Sequence, residues 1–182
     1  MDGYRLRRAT RADEGSLHAL FALPEVYEYL ADGAAPPREA MSGLIEKSDA
    51  DFAAAGLGLW LLETADCAPA GGVRLVLDAS ARAAELVYWL APAHWKKGLA
   101  TRMGATAIRA AFASGAVDRV FAGADVPNRR SLAVMERLGL RHLRDVVYPL
   151  GPGVEYQAQR HEWSEAGQPP SLPLVGSARR GA

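Results

Sequence analysis

Glu85-Leu86-Val87-Tyr88-Trp89-Leu90-Ala91-Pro92, with Trp95-Lys96-Lys97-Gly98-Leu99-Ala100-Thr101 close behind it, is where the hydrophobic period of the chain changes. The first part reads as a buried strand that ends at Pro92. After a lysine-glycine turn, Leu99, Met103, Ala107, Ile108, Ala111 and Phe112 recur at three-to-four spacing, which predicts a helix from about Leu99 to Ser114 stopped by Gly115. The order strand, glycine turn, helix sets the architecture.

Downstream, Arg119 to Ala124 predicts the next strand. Pro127-Asn128 then leads into a helix whose Leu132, Met135 and Leu138 share a face before Gly139 closes it. Leu140 to Val147 and Val154 to His161 predict two last strands around the Pro149–Gly153 loop. Upstream, Leu57 to Leu62 and Val73 to Leu77 predict a hairpin about a Cys67–Gly72 turn, continued by the Glu85 strand. Tyr4 and Leu6 alternate as a first strand. Thr10 with Asp13 marks a capped helix from about Arg11 to Ala22, Pro24 restarts the chain, and Pro36-Pro37 opens a helix with Met41, Leu44, Ile45, Ser48 and Phe52 on one face. These elements predict one α+β domain with a mixed sheet over residues 1–163. Residues 164–182 are Gly, Pro, Ser and Arg without periodicity, and a mobile tail is expected there.

The chain has 182 residues, 49% of them hydrophobic, enough for a single core. Lys+Arg and Asp+Glu number 21 each, so no net charge draws nucleic acid or an anionic membrane, and neither is expected as a partner. The only cysteine, Cys67, cannot pair within the chain, and the four histidines lack metal-ligand spacing. A reducing cytoplasmic setting and no metal are expected. The N-terminus has no apolar targeting run, and no segment nears the roughly 20 apolar residues of a membrane span.

The glycine turn is the most informative chemical feature. Unpaired helix-start N–H groups, a glycine that lets a ligand approach, and two adjacent lysines suit a diphosphate. The same residues also suit an ordinary strand-to-helix turn with solvated lysines, so the turn alone leaves the matter open. It is no nucleotide P-loop, because Ser or Thr does not follow a glycine-lysine pair, and no G-x-G-x-x-G occurs.

The segment from Glu85 to Leu140 resembles the GNAT superfamily of acyl-CoA N-acyltransferases. In that family a splayed strand is followed by Q/R-x-x-G-x-G/A, then by N-x-x-A/S before a helix ending in Gly-Phe. Here the matching stretches are Glu85 to Leu90, Trp95-Lys96-Lys97-Gly98-Leu99-Ala100, Asn128-Arg129-Arg130-Ser131, and Gly139-Leu140. Trp95 replaces the usual Gln or Arg. With Tyr88 to Pro92 and Val134 to Gly139, it is similar to the branch named for the ribosomal-protein N-terminal acetyltransferases. The resemblance implies a mostly antiparallel mixed sheet, splayed between two parallel strands and flanked by helices. It also implies acetyl-CoA as cosubstrate. The pantetheine would lie along the backbone at Trp89 and Leu90, the diphosphate on the amides from Lys96 to Thr101 (Lys96, Lys97, Gly98, Leu99, Ala100, Thr101), and Asn128 would cap its helix and touch the cofactor. A homodimer is compatible with the family.

Amide synthesis from a thioester needs a neutral amine and a proton for the leaving thiolate. In the resemblance Glu85 is the general base, working through water; by itself it could equally be a solvated strand end. Ser131 falls at the A/S position near the expected thiol, and Met135 stands where many members carry an acidic tyrosine, which leaves Ser131 or water as donor. As a small helix-start residue Ser131 also has a packing explanation. The expected activity is direct acetyl transfer to a primary amine, of a small molecule or a polypeptide N-terminus. A CoA-binding sensor or assembly module without catalysis is the alternative.

Overall fold

A computed structural model of the chain describes residues 3–30, 33–78 and 80–175. The strands are β1 (Tyr4–Arg8), β2 (Leu59–Thr64), β3 (Pro69–Asp78), β4 (Ala83–Leu90), β5 (Arg119–Asp125), β6 (Arg141–Tyr148), β7 (Gly151–Gln159) and β8 (Leu174–Val175). The α-helices are α1 (Glu14–Phe21), α2 (Pro24–Leu30), α3 (Glu39–Ala55), α4 (Leu99–Ala113) and α5 (Arg129–Arg137). The strands form one sheet in the order β6-β7-β5-β4-β3-β2-β1-β8. The β4–β5 and β1–β8 pairs are parallel, and the rest antiparallel. This is the mixed, mostly antiparallel α+β architecture expected from the sequence.

Strand alternation divides the apolar residues between two layers. Leu59 and Leu61 of β2 and Trp89 of β4 pack with Leu17, Phe21, Val26, Met41 and Ile45 of α1, α2 and α3. On the opposite face Leu62, Leu75, Leu86 and Leu90 meet Leu99, Met103 and Ile108 of α4 and Met135 and Leu138 of α5. The two helices of that layer come close at Gly104, where a Cβ would lie 2.7 Å from Leu138 Cδ1.

The hairpin turn is tighter than expected. It occupies residues 65–68, and β3 already begins at Pro69, so Gly71 and Gly72 lie inside a strand. They pair with Leu90 and Trp89, and a Cβ on Gly72 would stand 2.5 Å from the Trp89 indole. These glycines mark a close approach of ring to backbone.

At the start of α1, Asp13 is buried and accepts hydrogen bonds from the Thr10 N–H at 2.8 Å and from both Arg7 Nη groups at 2.8 and 2.6 Å. Arg7 Nε also reaches the buried Glu63 at 2.7 Å. Burial pushes the Asp13 carboxyl up, but Arg7 and Thr10 outweigh it and hold the group below its ordinary value.

The tail differs from the mobile segment expected from residue 164. Arg109 donates to the Pro169 carbonyl and to Ser171 Oγ, each at 2.9 Å. Leu172 is 1% exposed, and its N–H donates to Thr106 Oγ1 at 2.9 Å. Leu174 and Val175 then extend the sheet beside β1. One apolar side chain and a few backbone donors seat this segment, and neither produces a periodic signal. Residues 176–182 of the expected tail lie outside the described residues.

Candidate active site

β4 and β5 are joined by three rungs, Ala83↔Arg119, Ala84↔Val120 and Glu85↔Phe121. Beyond them β4 stays paired with β3 as far as Leu90↔Gly71, and β5 with β7 as far as Asp125↔Gly153. Each strand keeps its outer neighbour and loses its inner one. A V-shaped gap opens after Glu85, edged by the backbones of residues 86–90 and 122–125.

The mouth of the gap is built by the two helix starts. Lys96 and Gly98 have left-handed backbones, at φ 60° and 71°. Space around Gly98 is open, with nothing within 4 Å of where a Cβ would stand. Arg102 N donates to the Gly98 carbonyl at 3.1 Å as the first helical bond, which leaves the amides of Leu99, Ala100 and Thr101 facing out of the helix start. The side chains of Leu99 and Thr101 are themselves buried. Lys97 Nζ instead turns to the Tyr4 hydroxyl at 3.3 Å, which also contacts His94 Nδ1 at 2.9 Å. Trp95 Nε1 donates to the Leu90 carbonyl at 2.8 Å, and the Arg130 guanidinium stacks 4.1 Å from the Trp95 ring centroid. The departure from Gln or Arg at residue 95 therefore has a structural role: it ties the end of β4 to the start of α5. Trp89 and Leu90 have buried side chains. Asn128 Oδ1 accepts from the Ser131 N–H at 3.2 Å and caps α5.

Across the gap the Tyr88 hydroxyl of β4 lies 2.7 Å from Ser131 Oγ and 3.2 Å from the Ser131 carbonyl. Burial pushes the Tyr88 phenol up to about 12, against the opposing pull of Ser131. It is a neutral donor at ordinary pH.

Glu85 faces the other way. With Val87 and Trp89 it shares the α1–α3 face of β4, while Tyr88 belongs to the α4–α5 face. It is half-buried. Burial raises its carboxyl first, the charge of Glu155 adds to this, and Arg74 opposes it. Strand register places Glu155 of β7 opposite Gly123, on the same face. A Cβ on Gly123 would collide with the Tyr148 hydroxyl, so the phenol lies over that glycine. Burial, then Glu155, Glu85 and Asp125, push Tyr148 up to about 12, with Arg144 opposing. Arg144 Nε also donates to Glu155 at 2.7 Å.

Glu85 and Ser131 thus flank the same gap from opposite faces. Sequence reading did not single out Asp125 or Tyr148 for this site. The signal for Tyr148 was the pair Gly123 and Gly153 inside strands, small residues that make room for a ring. Among the described residues no group of three His, Cys, Asp or Glu side chains could hold a metal ion, and no helix is long and apolar enough to cross a membrane.

Residues 4–141 match the acetyltransferase (GNAT) domain family. The chain belongs to this family. Its GNAT fold is also that of spermidine N-acetyltransferase from Vibrio cholerae, solved with CoA and spermine, at TM-score 0.76 and 19% identity over 89% of this chain and 98% of that one. RimL, a ribosomal alpha-N-protein acetyltransferase solved with coenzyme A, aligns at TM-score 0.73 and 18% identity over 87% of this chain and 95% of that one. The microcin self-immunity acetyltransferase MccE, in complex with acetyl-CoA and AMP, aligns at TM-score 0.72 and 18% identity over 87% and 93%. As a GNAT member this chain is an acetyltransferase.

Proposed function

We propose that the protein is an acetyl-CoA-dependent N-acetyltransferase that transfers acetyl directly to a primary amine. The observation that carries this is the β4–β5 gap, with a titratable carboxylate on one face and a hydroxyl pair on the other. Structural relatives solved with CoA, acetyl-CoA or spermine support the cosubstrate and the amine class.

The chain fits the cosubstrate in three places. The amides of Leu99, Ala100 and Thr101, with Gly98 and Lys96, would hold the diphosphate. The free inner edge of β4 at Trp89 and Leu90 meets the pantetheine amides, although the Leu90 carbonyl is already taken by Trp95. Lys97 adds positive charge from the rim, and Asn128 holds the start of α5 against the chain of the cofactor. The bound thioester supplies an activated acetyl carbonyl.

Glu85 takes the proton that the attacking amine releases, directly or through one water. Its raised carboxyl is a better proton acceptor than an ordinary glutamate. As the new C–N bond forms and the C–S bond breaks, Ser131, oriented by Tyr88, delivers a proton toward the sulfur. The two roles sit on opposite sides of β4, matching the opposite directions from which amine and thioester must approach.

The experiment is CoA release with a panel of primary amines, with mass spectrometry of the products. Amine-dependent release with a mass gain of one acetyl group is expected. CoA binding without transfer to any amine would overturn catalysis in favour of a CoA-binding module.

A further inference from the structure

Asp125 is the last residue of β5, beyond the final rung between β4 and β5. It is 7% exposed, and its Oδ1 is fully buried without a hydrogen-bond partner. An unpaired carboxylate oxygen away from water carries a large desolvation cost, and native chains offset it with a cation or a donor. Among the described residues no donor reaches this oxygen: Arg144 is bonded to Glu155, and Arg130 stacks on Trp95. By strand alternation Asp125 shares a face with Phe121 and Gly123, and so with Glu85 and Glu155. The Tyr148 phenol of β6 lies over Gly123 on that same face, and the Asp125 charge acts on it and on Tyr29 of α2. Asp125 lies opposite the face assigned to the anionic cosubstrate.

We infer that Asp125 binds a second ammonium group of the acceptor, so that the acceptors of this enzyme are linear diamines or polyamines. This rests on the acetyltransferase reading above. The reacting nitrogen must be neutral to attack, so the ion that Asp125 lacks has to be a different nitrogen of the same molecule. Asp125 lies four residues along β5 from Phe121, the partner of Glu85, which is about 13 Å of strand rise. A long spacer between the two nitrogens is therefore preferred to a short one. Tyr29 and Tyr148 line the flanks with neutral phenols, suited to a methylene chain.

The test compares kcat/KM for α,ω-diamines from diaminobutane to diaminodecane, each against the n-alkylamine of the same length. The wild type should favour the longer diamines by about ten- to hundredfold, the scale of a charge-assisted hydrogen bond. In Asp125→Asn that ratio should fall toward one, chiefly through KM for the diamine. Asp125→Glu, which keeps the charge and moves it, should retain the preference and shift the preferred length. A wild type that does not distinguish diamines from alkylamines overturns the inference without any variant. So does a folded Asp125→Asn protein with an unchanged ratio, although acetylation of amines would still stand. If no amine is acetylated at all, both readings fall.

Discussion

The Tyr88 and Ser131 hydroxyls lie 2.7 Å apart, one on β4 and the other on α5, and link the two sides of the open gap. With Tyr88 donating to Ser131 Oγ, the Ser131 proton is free to point toward the sulfur, and the pair forms a short relay in which Tyr88 replaces the proton that Ser131 gives up. Ser131→Ala should lower kcat by about a hundredfold or more, and Tyr88→Phe by a similar factor. Because they act as one unit, the double variant should be little worse than either single one. The defect should persist at high pH, where neutral amine is plentiful. Full additivity in steady-state kinetics would separate the two hydroxyls.

As the proposed base, Glu85 should carry the pH dependence. Since burial and Glu155 raise its carboxyl, kcat/KM should fall as pH drops through a value above the ordinary glutamate range. Glu85→Gln should lower kcat and remove that limb while leaving KM for acetyl-CoA nearly unchanged. An acceptor amine near 10.4 is harder to present neutral than one near 8 by about 2.5 units, roughly 3.4 kcal/mol, so the loss should be larger for alkylamines than for peptide α-amines. Superimposable pH profiles for wild type and variant would remove Glu85 from the mechanism.

Gly98→Glu tests the proposed diphosphate site. A Cβ at Gly98 meets no protein atom, so the added carboxylate acts mainly on the ligand, apart from the cost of the left-handed backbone. CoA at a hundredfold excess over Kd should stabilise the wild type by about 2.7 kcal/mol, read as a rise in Tm. The folded variant should show almost none of this rise.

The seated tail makes a stability prediction. Truncation after Trp163 removes the buried Leu172 and the strand beside β1. It should cost about 2–4 kcal/mol, and Leu172→Ala alone most of that. Urea midpoints of the three proteins provide the comparison, and equal midpoints would show the segment to be dispensable.

Asp13 predicts acid sensitivity. Its carboxyl is held below the ordinary value in the folded protein, so its contribution is complete above the ordinary aspartate range and disappears as pH falls through the folded value. Asp13→Asn should therefore lose about 2 kcal/mol near neutral pH and show a shallower decline in urea midpoint toward acid. Parallel curves for the two proteins would contradict this.

The parts of the chain that sequence resolves are those governed by local chemistry. Gly98, the apolar row from Leu99 to Ile108 and Gly115 define α4, and Asn128 with Gly139 brackets α5, because caps and periods act within a few residues. The acceptor side was not legible in this way. Glu85, Gly123, Glu155 and Tyr148 come from four strands, and which of them share a face depends on pairing register, including an irregularity between His142 and Arg144. The pairing of β8 rests on two residues, too few for any period to appear.

That β4 shows Glu85 to one side and Tyr88 to the other has a kinetic meaning. In the proposed reaction the strand acts as a partition with a slot in it, and each reactant has its own entrance. Neither blocks the path of the other, so the geometry imposes no obligatory order of arrival. Product inhibition should then look like that of a random-order enzyme, with CoA and acetylated amine each leaving by the door its parent used.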